Sequence, residues 1–261
     1  MKKRLIINAD DFGVSFDANR AIVKACQSDI VKSVSVMVNC EASEDAIGFL
    51  KQNPAFDAGL HVNLLRGRPV LKPGLVKSLV DKNGFFLGSL VIFSARFFCG
   101  LVSLREIEAE INAQIKRLLG QGIALTHIDS HMHLHMLPML CPAVKKIAEE
   151  NKVRFVRFCS GYSGNAVKST RLKYLPLRLL VRHGDEEGPG RIDNFEGLDH
   201  TERLDETLLC DIIDSLSSGV SELMCHPREE NELRGLVSFS LREKLVKNNI
   251  QLISFRDIDG T

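Results

Sequence analysis

The stretch Gly122-Ile123-Ala124-Leu125-Thr126-His127-Ile128-Asp129-Ser130-His131-Met132-His133-Leu134-His135 passes from an apolar run into a dense polar cluster. It holds four of the chain's eight histidines and one aspartate. Pro138 follows, a residue suited to the first turn of a helix. The pattern predicts a buried strand that delivers polar side chains into a loop before a helix. Extended backbone would put His131, His133 and His135 on one face. A helix would instead pair His131 with His135. Imidazole is the commonest metal-ligating side chain, so either arrangement points to a metal or acid–base site. A solvated loop would explain one histidine better than it explains four.

The same unit recurs on both sides of this stretch. Short apolar runs at 4–9, 31–39, 58–64, 153–158, 220–225 and 250–255 read as strands. Periodic apolar positions predict helices from 15, at 43–51, 104–119, 138–151, 204–216 and 241–248. Ser15 and Ser103 stand as N-caps, and Gly120 and Gly122 as a stop. Strands alternating with helices imply a parallel sheet. Polar residues at the C-terminal ends of several strands favour an α/β fold of the (β/α) TIM-barrel type, either distorted or with fewer than eight strands. An open doubly wound sheet is the runner-up. The chain, 261 residues long, is read as one domain with two departures. One is an apolar excursion at about 65–102; the other is a loop-rich insert at about 160–203.

Composition excludes several classes. Hydrophobic residues make up 44% and charged residues 26%, as expected for a chain with a full core. A net charge of +1 provides no bulk field for nucleic acid or an anionic membrane. Seven scattered cysteines form no CxxC pair and read as buried thiols of a reducing, cytoplasmic compartment. The short run Leu5-Ile6-Ile7 after the basic N-terminus is too brief for a signal peptide. No GxGxxG or Walker-type loop is present. Residues 85–102 carry five phenylalanines, Phe85, Phe86, Phe93, Phe97 and Phe98, with Arg96 among them. The main reading is a buried helix or lid; the other is an apolar surface for a lipid-like substrate or the membrane.

Chemistry-bearing residues fall at strand ends four times: Asp10-Asp11, His61, the cluster around His131, and His226. One carboxylate and two imidazoles make a common site for a divalent cation with open positions. The adjacent acids need not share a job: one can ligate while the other takes a proton.

Asn8-Ala9-Asp10-Asp11-Phe12-Gly13, Gly59-Leu60-His61, the 126–135 stretch and Cys225-His226-Pro227 together resemble the YdjC-like carbohydrate deacetylases. That family includes chitooligosaccharide deacetylases and the hopanoid-biosynthesis-associated HpnK-like proteins. The resemblance implies a barrel-like fold, one divalent metal ion (Mg or Zn foremost) and removal of acetyl groups from N-acetylated amino sugars. It implies Asp11, His61 and His131 as metal ligands, Asp10 as the base and His226 as the acid. His127, Asp129, His133 and His135 then become substrate-facing, supporting or packing residues. Arg157 occupies a late strand comparable to one that orients the base in related enzymes, without the proline that usually follows. The 85–102 excursion, Ser221-Glu222-Leu223 and Asp193-Asn194-Phe195-Glu196-Gly197-Leu198 resemble the HpnK-like branch, whereas Asp129-Ser130 resembles the chitooligosaccharide branch.

The expected partner is an N-acetylated saccharide or a glycolipid. No nucleic acid is expected. Contact with a membrane surface through 85–102, a place at the membrane periphery and a homodimer are the further options. Two other function classes stay in view: another metallohydrolase acting on phosphoesters or cyclic amides, and a catalytically silent sugar- or lipid-binding protein.

Overall fold

The computed structural model of the protein describes residues 2–157, 192–201 and 203–258. The strands are β1 (Lys3–Phe12), β2 (Ser33–Val36), β3 (Asp57–Val62), β4 (Leu125–Ser130), β5 (Phe155–Val156), β6 (Asn194–Glu196), β7 (Gly219–Cys225) and β8 (Ile250–Leu252). The helices are α1 (Phe16–Gln27), α2 (Ser43–Gln52), α3 (Leu90–Phe98), α4 (Leu104–Leu119), α5 (Leu140–Glu150), α6 (Glu206–Ser215), α7 (Glu230–Leu236) and α8 (Phe239–Lys247). Every named strand pairing is parallel. Seven strands in the order β5-β4-β3-β2-β1-β7-β6 curl into a half-barrel surrounded by helices. The eighth, β8, pairs with the start of β1. The barrel expectation therefore holds in its distorted form.

Both faces of this sheet are covered, as parallel sheets require. Alternation along β1 shows how. Leu5, Ile7 and Ala9 point outward into the large core shared with the helices. Ile6 points inward, where it joins Phe155, Val220, Ile253, Phe255 and Ile258 in a smaller apolar plug. The next inward residues of β1 are Asn8 and Asp10, both buried. The interior thus changes from apolar to polar towards the C-terminal ends of the strands, where barrel active sites gather.

Local signals set the helix starts. The Ser15, Ser103 and Asp205 side chains accept from backbone N–H groups of the first turns of α1, α4 and α6. Several boundaries differ from expectation. α5 begins two residues after Pro138, because Met139 turns the chain at φ 67° before the helix can start. β8 stops at Leu252, and Phe255–Asp257 form a 3-10 turn that inserts Phe255 into the plug. α7 had no counterpart in the sequence reading. Phe158, Cys159 and residues 160–191 of the expected insert lie outside the described residues; the remainder of that insert contains β6. The cysteines are also less uniform than expected: Cys26 and Cys225 are buried, whereas Cys99 is exposed.

The 65–102 excursion is a packed lobe rather than a free loop. Glu110 of α4 accepts from the backbone of Val70 and Leu71 at 2.8 and 3.0 Å. Glu106 does the same for Ser78 at 2.7 Å. Phe86, Phe93 and Phe97 join the main core. The buried-helix reading fits that side alone, because Val91, Ile92 and Phe98 are exposed. No helix among the described residues is long and apolar enough to cross a membrane.

Candidate active site

Adjacent residues of a strand point to opposite faces. Asp10 and Asp11 escape this rule. The β1–β2 register shifts between Ala9 and Phe12, and Asp11 adopts φ 64°. This bulge turns the second carboxylate back towards the interior. Aspartate is among the few non-glycine residues that enter the left-handed region with modest strain.

Asp11 Oδ1 lies 3.3 Å from His61 Nε2 and 3.1 Å from His131 Nδ1. One ligand atom from each of these three residues falls within 4.8 Å of the others. Burial alone would raise the Asp11 pKa, but hydrogen bonds from His131 and His61 and their charges hold it well below the carboxylate range. The Asp11 Oδ2 atom accepts from Arg228 Nη1 at 3.0 Å. His61 donates its other ring nitrogen, Nδ1, to Asp129 Oδ1 at 2.7 Å. A carboxylate behind an imidazole is the usual support for a metal-ligating histidine.

A second group, Asp10, His61 and Asp129, also meets the distance criterion for holding an ion. Its two carboxylates are already neutralised by a protein cation. Arg157 donates through Nη1 and Nη2 to both oxygens of Asp10, at 2.7 and 2.8 Å. Nη2 also lies 2.7 Å from Asp129 Oδ2, and Nε donates to Glu222 Oε1 at 2.8 Å. All four residues are buried. Unpaired, these charges would be very costly in such an interior. The charges of Arg157 and His61 hold Asp129 far below its ordinary value despite burial. Burial, with the charges of Asp129 and Asp10, pushes Glu222 up to about 7 even beside Arg157.

Asn8 and Ser35 complete the polar layer. Asn8 donates to Asp10 Oδ1 and to Ser35 Oγ, each at 2.8 Å. Ser35 donates to Asp129 Oδ2 at 2.7 Å. With its one proton so used, Ser35 accepts from His127 Nε2 at 2.9 Å. His127 Nδ1 is then left to accept from Thr126 at 2.8 Å. Burial, which pulls His127 down to about 4, favours that neutral ring over one charged at both nitrogens. Its ring stacks on Phe255 at 4.1 Å. It crosses the interior directly over Gly59, where a Cβ would stand 2.2 Å from Nε2. Only glycine leaves room there.

Neither the shared strand face of His131, His133 and His135 nor the helical pairing of His131 with His135 is formed. Met132 and His133 have φ 56° and 53°, so neither strand nor helical periodicity applies beyond Ser130. Only His131 reaches Asp11. His135 accepts from Ser130 at 2.6 Å and donates to the Arg157 carbonyl at 2.8 Å. Burial pulls it down to about 4. It serves to anchor the backbone of Arg157. His133 is buried edge-on against Phe195, 6.4 Å between ring centroids.

His226 ends β7. Its backbone N–H donates to Glu232 at 2.5 Å, and its buried Nδ1 has no hydrogen-bond partner among the described residues. Burial lowers its pKa against the opposing charges of Asp10 and Asp11.

The sequence reading did not single out Asn8, Ser35, Arg228 or Glu232 for the site, and quoted Glu222 only as part of a branch motif. A charged residue inside the apolar run Val220-Ser221-Glu222-Leu223 was the available signal for Glu222. Ser35 offered none, since a serine within a strand commonly faces water.

The donor set suits a divalent cation. One carboxylate and two imidazoles converge, and the charges of Asp129 and Asp10 push His61 up to about 10 against the effect of burial. A site that draws a proton so strongly has room for positive charge. Asp11, His61 and His131 would hold the ion.

Comparison with known proteins agrees in extent with this architecture. The family described as YdjC-like protein matches residues 4–249. A carbohydrate deacetylase from Brevibacillus brevis is 33% identical over 98% of this chain and 99% of its own. A chitooligosaccharide deacetylase from Serratia marcescens is 32% identical over 99% of this chain and 100% of its own. A crystal structure from Enterococcus faecalis V583, of a protein named provisionally for cellobiose-phosphate cleavage, superposes with a TM-score of 0.76 at 25% identity and covers 98% of each chain. Matched over residues 4–249, the chain belongs to the YdjC-like family.

Proposed function

We propose that the protein is a metal-dependent deacetylase that hydrolyses the acetamide of N-acetylated amino sugars. One observation carries the reading: two adjacent carboxylates are given different surroundings. Asp11 turns one oxygen to two imidazoles and the other to Arg228, whereas Asp10 is clamped at both oxygens by Arg157. That is the division between a ligand and a base. The full-length relatives named for carbohydrate and chitooligosaccharide deacetylation support the substrate class. Asp10, Asp11 and His61 lie in strands of one continuous sheet and His131 and Arg157 directly follow two others, so we read the chain as a single catalytic domain.

Asp11, His61 and His131 would hold a divalent cation, which would supply Lewis acidity towards water and the amide carbonyl. Magnesium and zinc are the leading identities, and two imidazoles suit zinc better than magnesium, which prefers oxygen ligands. The protein does the proton work. Asp10, fixed at both oxygens by Arg157, takes the proton of the attacking water. His226 gives a proton to the departing amine, which is otherwise a poor leaving group. Its low proton affinity makes that transfer easy once the ring is charged. His61 is kept in one orientation by Asp129, and Arg228 sits at the mouth on Asp11 with about a quarter of its side chain exposed.

The deciding experiment measures acetate release from N-acetylated chitooligosaccharides and from an N-acetylated glycolipid, with metal content determined on the same sample. Acetate with one equivalent of divalent metal supports the reading. Phosphate release from a phosphorylated disaccharide, without acetate from any amide, would replace it with another metallohydrolase. Saccharide binding without turnover at full metal occupancy would make the protein a binding module.

A further inference from the structure

The near-zero net charge conceals a strong local asymmetry. Residues 65–103 carry six basic side chains, Arg66, Arg68, Lys72, Lys77, Lys82 and Arg96, and one acid, Asp81. This lobe is therefore net +5 in a chain that totals +1, and the remainder is net −4. Five of the six basic residues are exposed, and Arg96 is half-buried.

The same lobe displays exposed apolar side chains. Val91 is 76% exposed, Leu75 63% and Leu101 58%, and Phe85, Ile92 and Phe98 are each near half. Helix α3 explains much of this. Phe93 and Phe97, one turn apart, enter the core. Val91, Ile92, Ala95 and Phe98 lie on the opposite side, facing outward. A helix on an ordinary solvated surface would carry charges there. The lobe is also contiguous. Phe86 donates to the Gly67 carbonyl at 2.9 Å, Arg68 lies 4.0 Å over the Phe85 ring, and Ser103 donates to Ser78 at 2.8 Å. Basic and apolar groups are therefore presented by one unit, braced on α4 by Glu106 and Glu110.

We propose that the 65–103 lobe docks the protein on an anionic lipid bilayer, with the outer face of α3 in the interfacial zone and the lobe's exposed lysines and arginines on the headgroups. Exposed apolar side chains and basic ones on one unit are the chemistry of a surface-bound segment. Nine residues make a helix of about 14 Å, which lies on a membrane of roughly 30 Å and does not cross it. The positive lobe on an otherwise negative body selects anionic over neutral lipid and orients the molecule. The lobe contains none of the residues assigned to the active site, so docking and hydrolysis are separable.

The test is co-sedimentation of the full chain with vesicles of phosphatidylcholine plus phosphatidylglycerol, against vesicles of phosphatidylcholine alone. Binding to the anionic vesicles, weakened by salt, is expected. Val91→Asp/Phe98→Asp should reduce it by on the order of tenfold or more. Lys72→Glu/Lys82→Glu should do so by a similar factor, at about fivefold per basic residue removed. These side chains are exposed, so both variants should keep the parent melting temperature and hydrolysis of a soluble substrate. The proposal is overturned if the parent binds neither vesicle, or if both variants bind as the parent does. It is equally overturned if light scattering shows a dimer that Val91→Asp/Phe98→Asp dissociates while no vesicle is bound. That result would assign the face to a second copy of the chain.

Discussion

Arg157 grips both oxygens of Asp10 with hydrogen bonds of 2.7 and 2.8 Å, 147 residues apart in the chain. The grip is itself fixed. His135 holds the arginine's backbone carbonyl, Asp129 lies against its Nη2 and Glu222 accepts from its Nε. The base is therefore positioned by a fork whose planarity matters as much as its charge.

Arg157→Lys tests that geometry. Lysine keeps the charge but loses the two-point contact, so Asp10 can swing. We expect kcat to fall by about a hundredfold, the scale of an ångström-level misplacement, with metal content unchanged. Arg157→Met should instead cost roughly 3–5 kcal/mol of stability, because three buried carboxylates lose their cation. Steady-state kinetics with metal analysis checks the first, and denaturant unfolding the second. A lysine variant with parental kcat would remove Arg157 from the positioning of the base.

The site was unevenly legible in the sequence. Asp10-Asp11, His61, His131 and His226 stood out because charged or ligating groups end apolar strands. Which of them meet was not readable. The bulge that brings Asp11 beside Asp10 depends on the pairing of β1 with β2, 25 residues on. The even spacing of His131, His133 and His135 suggested a shared face, and two left-handed residues destroyed it. β6 was missed because Asn194-Phe195-Glu196 is too short to carry a period. Glu222 and Ser35 acquire meaning only when β7 and β2 are placed around Arg157 and Asp129.

Metal binding separates a ligand from its support. His131→Ala removes one of three converging donors. We expect its metal affinity to fall by more than the roughly 10–100-fold typical of losing a supporting partner, with activity lost alongside. Asp129→Asn, which weakens the hold on His61 without touching the ion, should fall within that range. Titration of the metal-stripped protein with zinc or magnesium, read by calorimetry, distinguishes the two. Equal affinities in the parent and His131→Ala would move the ion elsewhere.

The buried rings predict how stability responds to acid. His127 and His135 have folded values of about 4 against an ordinary 6.5. The unfolded chain binds protons that the folded chain refuses, so stability falls as pH drops from about 6.5 towards 4. Each ring accounts for up to roughly 3 kcal/mol of that loss. Glu222 works in the opposite direction. Its folded value of about 7 lies above the ordinary 4.5, so it weakens the fold as pH rises across that interval. His127→Gln should flatten the acid loss, and Glu222→Gln should steepen it. Melting temperature against pH would show the two slopes diverging; parallel curves would contradict the assignment.

Gly59→Ala tests how tightly the interior is closed. The added methyl would stand 2.2–2.5 Å from three atoms of the His127 ring. The ring cannot retreat, because Phe255 stacks on its far side and Ser35 and Thr126 hold its nitrogens. Overpacking of this kind costs about 1–3 kcal/mol, and the shift of His127 should also disturb Ser35 and through it Asp129. His127→Ala alone leaves a cavity under Phe255. Combining the two substitutions places the new methyl in the space the ring has left. The double variant should therefore be more stable than the sum of the single losses predicts, by on the order of 1 kcal/mol. Strict additivity in urea unfolding would mean that the ring and the glycine do not share the space.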